Sequence, residues 1–115
     1  MAPNDTTKFS ELTFEDIRPE VLEFALLMEY KLRENDFKGG WKNDSVEALL
    51  KRVDEELDEL REELYVDDVL EGSGYEAPIE RVHKIRTTYE AADVANMLMM
   101  IVDNILRPPI RNTNV

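Results

Sequence analysis

The sequence predicts an all-α fold, an antiparallel helical bundle that is completed by oligomerisation. Three segments carry apolar residues at alternating three- and four-residue steps, which is the period of an amphipathic helix. The few glycines cluster at residues 39–40 and 72–74 and divide these segments from one another. No useful length of chain alternates apolar and polar residues as a strand does. We expect one domain over residues 1–115, with irregular tails at residues 1–17 and 108–115.

The first predicted helix covers about residues 19–36. Pro19 suits a first helical turn, where its missing N–H group is harmless. The apolar stripe includes Val21, Phe24, Ala25, Leu27, Met28, Lys31 and Leu32. We expect the helix to end before the loop at residues 38–41.

The second predicted helix covers about residues 45–64, with residue 70 as an alternative end. Asp44 or Ser45 can cap it, and Glu47 follows Asp44 at the spacing of a capping box. One stripe of apolar residues runs through Val46, Leu49, Leu50, Val53, Leu57, Leu60 and Leu64.

The third predicted helix covers residues 78–106 and stops at Arg107-Pro108-Pro109. Beyond Glu90 it is apolar nearly all round, which is typical of a helix that is buried on most sides. A protomer of three helices rarely surrounds one of them completely. We therefore expect a second subunit to cover part of this helix, in a homodimer or homotetramer.

Composition restricts the chemistry of the chain. Cysteine is absent, which excludes disulfides, thiolate metal sites and a cysteine nucleophile. The net charge of -12 repels nucleic-acid backbones, so we expect no binding to a nucleic-acid duplex. The same charge repels a free triphosphate unless divalent cations mediate the contact.

The sequence gives no sign of secretion or membrane insertion. Residues 1–16 have neither the basic start nor the apolar stretch of a signal peptide. The longest apolar segment, residues 91–102, is too short for a bilayer and contains Asp93 and Asn96. We expect a cytoplasmic protein that makes no membrane contact.

Polar residues interrupt the most apolar helix at regular steps. Glu90, Asp93 and Asn96 follow one another every three residues and so share one broad face. A carboxylate buried there must be paired, protonated or bound to metal. On the second helix, Glu56 borders the apolar stripe and Glu59 lies one turn further on. Antiparallel packing of the two helices would make these acids face those of the third helix.

Either acidic pattern alone is more often a solvated helix face or a core helix with one satisfied polar group. Together they favour a site for Mg²⁺, with Mn²⁺ as a possible substitute, because these ions prefer oxygen ligands. Without cysteine, and with the lone His83 outside the cluster, Zn²⁺ is disfavoured.

These motifs resemble the MazG-like nucleotide pyrophosphohydrolases, which are marked by E-E-x-x-E on one helix and E-x-x-D on a later one. The first motif reads Glu55-Glu56-Leu57-Asp58-Glu59 and the second reads Glu90-Ala91-Ala92-Asp93. The loop Lys38-Gly39-Gly40-Trp41 and the run Val94-Ala95-Asn96 are also similar to the family. The resemblance covers residues 24–103.

The resemblance implies an all-α nucleotide pyrophosphatase fold, assembled as a dimer or a dimer of dimers around a four-helix core. It implies hydrolysis of a (deoxy)nucleoside triphosphate to the monophosphate and pyrophosphate, with a possible role in clearing the nucleotide pool. The implied metal ligands are Glu56, Glu59, Glu90 and Asp93. Glu55 would support the site or orient water, and Asn96 would contact the metal-bound substrate or its sugar.

Other residues are candidates for substrate binding or proton transfer. Glu55 or Glu56 could accept the proton of the attacking water. Lys38 and Lys42 flank the glycine pair, in a loop that could close on a triphosphate. Trp41 could stack on a base or fill the core between the first two helices. Arg86, and with it Lys84 and Arg107, could reach phosphates.

Two other functions remain open at this stage. A phosphoribosyl-ATP pyrophosphatase or a dimeric dUTPase would share the helical metal site and differ in its base and sugar pocket. A non-catalytic acidic helical module that binds a partner protein would place the acids on exposed faces and have no affinity for metal. The sequence leaves open the base, the sugar and the choice between dimer and tetramer.

Overall fold

The computed structural model describes the backbone of residues 7–71 and 77–108 and the side chains of residues 7–64 and 84–108. These parts of the chain form helices and turns and contain no strand, which confirms the predicted all-α class. The glycine loop at residues 72–74, the side chain of His83 and the tail after residue 108 belong to predictions that lie outside the described residues.

Helix α1, Pro19–Glu34, begins with the predicted proline in its first turn. It ends two residues earlier than predicted, because the chain tightens into a 3₁₀ turn at Asp36–Lys38. Gly39 and Gly40 follow with φ angles of 91° and 78°, in the left-handed region where a Cβ atom would be strained. This glycine pair turns the chain away from α1 and towards the second helix. Before α1, short 3₁₀ turns occupy Phe9–Glu11 and Phe14–Asp16.

Helix α2, Val46–Glu71, and helix α3, Ala77–Leu106, form a long hairpin. Of the two predicted caps, Ser45 is the one that accepts a hydrogen bond at its side-chain oxygen, from the N–H of Ala48 at 3.1 Å. The pairing is antiparallel, since the base of α2 meets the end of α3 through Asp44 and Asn104, while Glu56 meets Asp93 further along. Helix α1 also packs antiparallel to α3, because Met28 contacts Asn96 and Lys31 contacts Asp93.

The core lies between α2 and α3. Its buried members are Leu49, Val53, Met97 and Met100, and Leu49 is fully buried. Partly buried side chains pack around them, from α1, the loop, α2 and α3: Leu32, Trp41, Leu57, Met99 and Ile101. Helix α1 contributes no fully buried residue, so it lies against α3 as a cover over one side of the hairpin.

Helix α3 has two unlike faces. One face packs on its neighbours and includes Ala92, Asn96, Met97, Met100 and Asn104, all buried. The opposite face carries Leu98, Val102 and Ile105, which are 49%, 52% and 61% exposed. The single chain thus leaves part of its most apolar helix uncovered. Among the described residues, no helix combines the length and apolarity that crossing a bilayer requires.

Candidate functional site

The hairpin brings together four carboxylates, two from each helix. We call them the acidic cluster: Glu56, Glu59, Glu90 and Asp93. One oxygen each from Glu56, Glu90 and Asp93 lies within 4.8 Å of the other two. Glu59 is more exposed and hydrogen-bonds to both Glu56 and Glu90. The arrangement follows from antiparallel pairing, which sets an acid pair on one helix opposite an acid pair on the other.

Protonation of the cluster reflects its burial and its crowding. Burial, followed by the charge of Glu59, raises the pKa of Glu56 to about 7. Burial and a hydrogen bond with Glu59 raise the pKa of Glu90 to about 7. Burial also raises the pKa of Asp93, although the nearby Lys31 ammonium opposes that shift. The charges of four carboxylates at such short range repel one another, and binding of a proton or a cation would relieve this repulsion.

The cluster suits a divalent cation with oxygen ligands. The three oxygens lie within 4.8 Å of one another. Adjacent ligand oxygens around octahedral Mg²⁺ are roughly 3 Å apart and opposite ones roughly 4 Å apart, so the carboxylates would move closer together, by up to about 2 Å, to bind one ion directly. In addition, the Oε2 atom of Glu90 is buried and has no hydrogen-bond partner among the described residues. A buried acceptor without a donor is costly, and a cation would satisfy it. The donor set therefore fits Mg²⁺ or Mn²⁺, with all ligands from oxygen.

A cleft of about 440 Å³ opens beside the cluster, between α1 and α2 and above α3. Glu56, Glu59 and Asp93 form its acidic side. Its apolar part consists of Leu32, Trp41, Met97 and Met100, and its cationic residues are Lys31, Lys38 and Arg52. This volume lies in the range of small-molecule sites. The cleft thus offers carboxylates for a metal, cations for an anion and an apolar surface for a ring.

The wall of the cleft that contains Trp41 is fastened to the end of α3. The indole N–H of Trp41 donates to Asp103 Oδ2 at 2.9 Å. The side-chain amide of Asn104 donates to the carbonyls of Trp41 at 3.0 Å and Asp44 at 3.1 Å. Trp41 therefore packs against the core and also lines the cleft. Its stacking on a base stays a prediction.

Asp103 is the anchor of this wall. Besides Trp41, it accepts hydrogen bonds from Lys42 Nζ at 2.6 Å and Arg107 Nε at 2.7 Å. Hydrogen bonds from Lys42, Trp41 and Arg107 hold the pKa of Asp103 well below its usual range. Lys42 and Arg107, both candidates for phosphate binding, are thereby engaged with a carboxylate. Lys38 differs from them, because it is exposed and lines the cleft.

The remaining predicted residues lie in different surroundings. Glu55 and Arg86 are exposed, and neither is among the described residues that line the cleft. Asn96 does line it and is almost fully buried, at 3% exposure. Its side-chain amide donates to the carbonyl of Met28 at 3.1 Å and so ties α3 to α1, while its Oδ1 atom has no partner among the described residues.

Lys31 is a cleft residue that we did not predict as part of the site. Its Nζ atom lies 3.9 Å from Asp93 Oδ1, and its side chain is 17% exposed. The sequence feature that could have identified Lys31 is its position inside the apolar stripe of α1, where an apolar residue is expected. A cation at such a position needs an acidic partner, and Asp93 provides it.

The raised pKa values predict that the metal-free protein loses stability between pH 5 and pH 8. Glu56 and Glu90 take up protons near pH 7 when folded and near pH 4.5 when unfolded. The folded state then binds more protons throughout this window, so the free energy of unfolding falls as pH rises. After allowance for solvent screening we expect a loss of about 1 kcal/mol. Thermal melting in a chelator at the two pH values measures it, and a Glu56→Gln/Glu90→Gln variant should show a flatter profile.

Asp103→Asn should release the wall that carries Trp41. The variant removes the negative charge shared by Lys42 and Arg107 and weakens the acceptor for the indole. Trp41 is the only tryptophan, so its fluorescence reports directly on the loop. We expect a red-shifted emission and easier quenching by acrylamide, with the helical circular dichroism signal retained. Emission identical to that of the parent chain would contradict the anchoring role of Asp103.

Fold and site together define an all-α protein with a carboxylate cluster beside a mixed acidic, basic and apolar cleft. No protein-family model, no curated protein and no solved structure matches the chain significantly.

Proposed function

We propose that the protein is a Mg²⁺-dependent nucleoside triphosphate pyrophosphohydrolase of the MazG-like kind. It would convert a (deoxy)nucleoside triphosphate to the monophosphate and pyrophosphate, within the cytoplasm. The observation that carries this proposal is the convergence of Glu56, Glu90 and Asp93 within 4.8 Å, at the side of a cleft that also presents cations and an aromatic ring. A nucleotide with its metal contains a matching partner for each of these parts.

The cleft suggests an orientation for the substrate. The triphosphate would lie along the acidic side, where bound Mg²⁺ would neutralise its charge and stabilise the pyrophosphate leaving group. Lys31 and Lys38 line the same cleft and would contact phosphate oxygens. The base would lie against Trp41 and the neighbouring methionines, which offer an apolar and polarisable surface.

In the reaction, a water oxygen forms a bond to the α-phosphorus, and the bond from that phosphorus to the bridging oxygen breaks. Pyrophosphate takes the electron pair and leaves, while a carboxylate accepts the water proton. Glu56 is better placed for this transfer than Glu55, because Glu56 lines the cleft and Glu55 points into solvent. Its raised pKa, about 7, also suits a group that accepts and returns a proton near neutral pH.

The proposal includes a homodimer or homotetramer. Its support is the uncovered apolar face of α3, where Leu98, Val102 and Ile105 repeat at steps of four and three residues. Such steps are those of helices that pack along each other. Sedimentation equilibrium at micromolar concentration that found only monomer would remove this part of the proposal.

Two measurements test the function. Pyrophosphate release should appear with at least one member of a panel of common and damaged triphosphates, and only when Mg²⁺ or Mn²⁺ is present. Thermal melting should also show a higher Tm as the cation is added, because the folded cluster binds it. Absence of both effects at millimolar metal would instead support an acidic module that binds a partner protein. Release from phosphoribosyl-ATP or dUTP alone would narrow the activity to those branches.

A further inference from the structure

One lysine lies against the acidic cluster from the α1 side. Lys31 Nζ is 3.9 Å from Asp93 Oδ1 and 3.8 Å from Glu34 Oε1, and it sits 5.2 Å from the centroid of the Tyr89 ring. Carboxylates and an aromatic face all attract an ammonium group. The side chain is only 17% exposed, so these contacts define one preferred position for the charge.

The other cations of the cleft are placed differently. Arg52 is 47% exposed and pairs with Asp44 at 3.8 Å, at the edge of the cleft. Lys38 is exposed, and its Nζ atom lies 5.8 Å from the ring centroid of Phe37. Of the described cations that line the cleft, Lys31 is therefore the one within ion-pair distance of a cluster carboxylate.

The position of Lys31 sets it in competition with a cation. A divalent ion held by Asp93 and its neighbours would share a ligand with the ammonium and lie close to it. Two positive charges at that range repel each other, most strongly in a site that is partly shielded from water. An anion placed between them, such as a phosphate, would turn the repulsion into attraction for both.

We propose that Lys31 is an internal counter-ion that weakens metal binding to the empty cleft and makes metal and triphosphate bind cooperatively. The competition between Lys31 and metal stands on the geometry alone, whereas the cooperativity with a triphosphate rests on the proposed function. By thermodynamic linkage, the gain in metal affinity caused by the nucleotide equals the gain in nucleotide affinity caused by the metal. The cleft would thus favour the metal–nucleotide complex over either component alone.

Mn²⁺ binding provides a test that is independent of turnover. Titration calorimetry at pH 8 would compare the parent chain with Lys31→Met and with Arg33→Met. The second variant removes the same charge from α1 at a side chain that is 75% exposed and paired with Glu29. Without nucleotide, Lys31→Met should bind Mn²⁺ about tenfold more tightly, and Arg33→Met should stay within about twofold of the parent.

A second titration uses an α,β-imido nucleoside triphosphate, which resists hydrolysis between the α- and β-phosphorus atoms. Saturating analogue should tighten Mn²⁺ binding to the parent chain, and this gain should shrink in Lys31→Met and return in Lys31→Arg. Unchanged or weaker Mn²⁺ affinity in Lys31→Met, with the helical signal intact, overturns the proposal. Tighter Mn²⁺ binding in Lys31→Met together with no pyrophosphate release from any triphosphate would leave the counter-ion role standing and remove the proposed function.

Discussion

Asp93→Asn is expected to abolish pyrophosphate release while leaving the fold intact. Asparagine keeps the size of the side chain but removes the charge that the cluster offers to a cation and to Lys31. Under the proposed function, loss of one of the three converging carboxylates would weaken metal binding and misplace the substrate that the metal would hold. We expect turnover to fall by about two orders of magnitude or more. Steady-state assays of pyrophosphate release, at several Mg²⁺ concentrations, measure the loss.

The matched control is Asp58→Asn on α2. Asp58 is 71% exposed, pairs with Arg61 and is not among the residues that line the cleft. Its substitution changes the net charge by the same amount as Asp93→Asn. We expect its turnover to stay within about twofold of the parent chain. Full activity in Asp93→Asn, or equal losses in the two variants, would rule out Asp93 as a ligand.

Leu49→Ala should produce the largest loss of stability among single substitutions in the hairpin. Leu49 is fully buried between Val53, Met97 and Met100. Truncation removes buried apolar surface and leaves a cavity that a small core cannot fill, at a cost of about 2–5 kcal/mol. A domain of this size has a total stability of about 5–15 kcal/mol, so the loss is a large share of it. Urea unfolding followed by circular dichroism at 222 nm, a standard helix signal, measures the change.

The neighbouring leucine gives the comparison. Leu50 is 54% exposed in the single chain, so Leu50→Ala should cost about 1 kcal/mol or less. An equal cost at both positions would mean that another copy of the chain covers Leu50. Repeating the unfolding over a range of protein concentrations separates that case, because a stability that depends on assembly also depends on concentration.

Apolar spacing was sufficient to predict the three helices. Each start was predicted within one residue. Helix α2 continues to Glu71, beyond its predicted end at residue 64 or 70, and α1 ends two residues before its predicted end. There the sequence carries no helix breaker until Gly39, so the 3₁₀ turn at Asp36–Lys38 could not be separated from the helix by periodicity. The connection between α2 and α3 is too short to join two long helices that run parallel, so the helices pair antiparallel. This pairing brings the acidic cluster together.

Contacts between distant segments were beyond such reasoning. The hydrogen bond from Trp41 to Asp103 joins residues 62 positions apart, and no periodic pattern records it. Lys42 and Lys38 appear equivalent around the glycine pair in the sequence. The structure separates them, since Lys42 bonds to Asp103 and Lys38 lines the cleft. Glu55 and Glu56 are likewise adjacent letters, but a rotation of about 100° per residue sends one to solvent and the other to the cleft.

Helix α3 supplies two of the four carboxylates of the acidic cluster and also the two residues that hold the cleft wall with Trp41, Asp103 and Asn104. Asp93 lies on the helix three turns before Asp103 and Asn104, so a rigid rod fixes the spacing between acid groups and indole. Its uncovered side carries Leu98 and Val102, between those two points along the axis. A shift of α3 caused by contact on that side would move Asp93 together with the residues that hold Trp41. A second protein chain bound to that side could change the packing of α3 on α2 without changing the distances between the residues of α3.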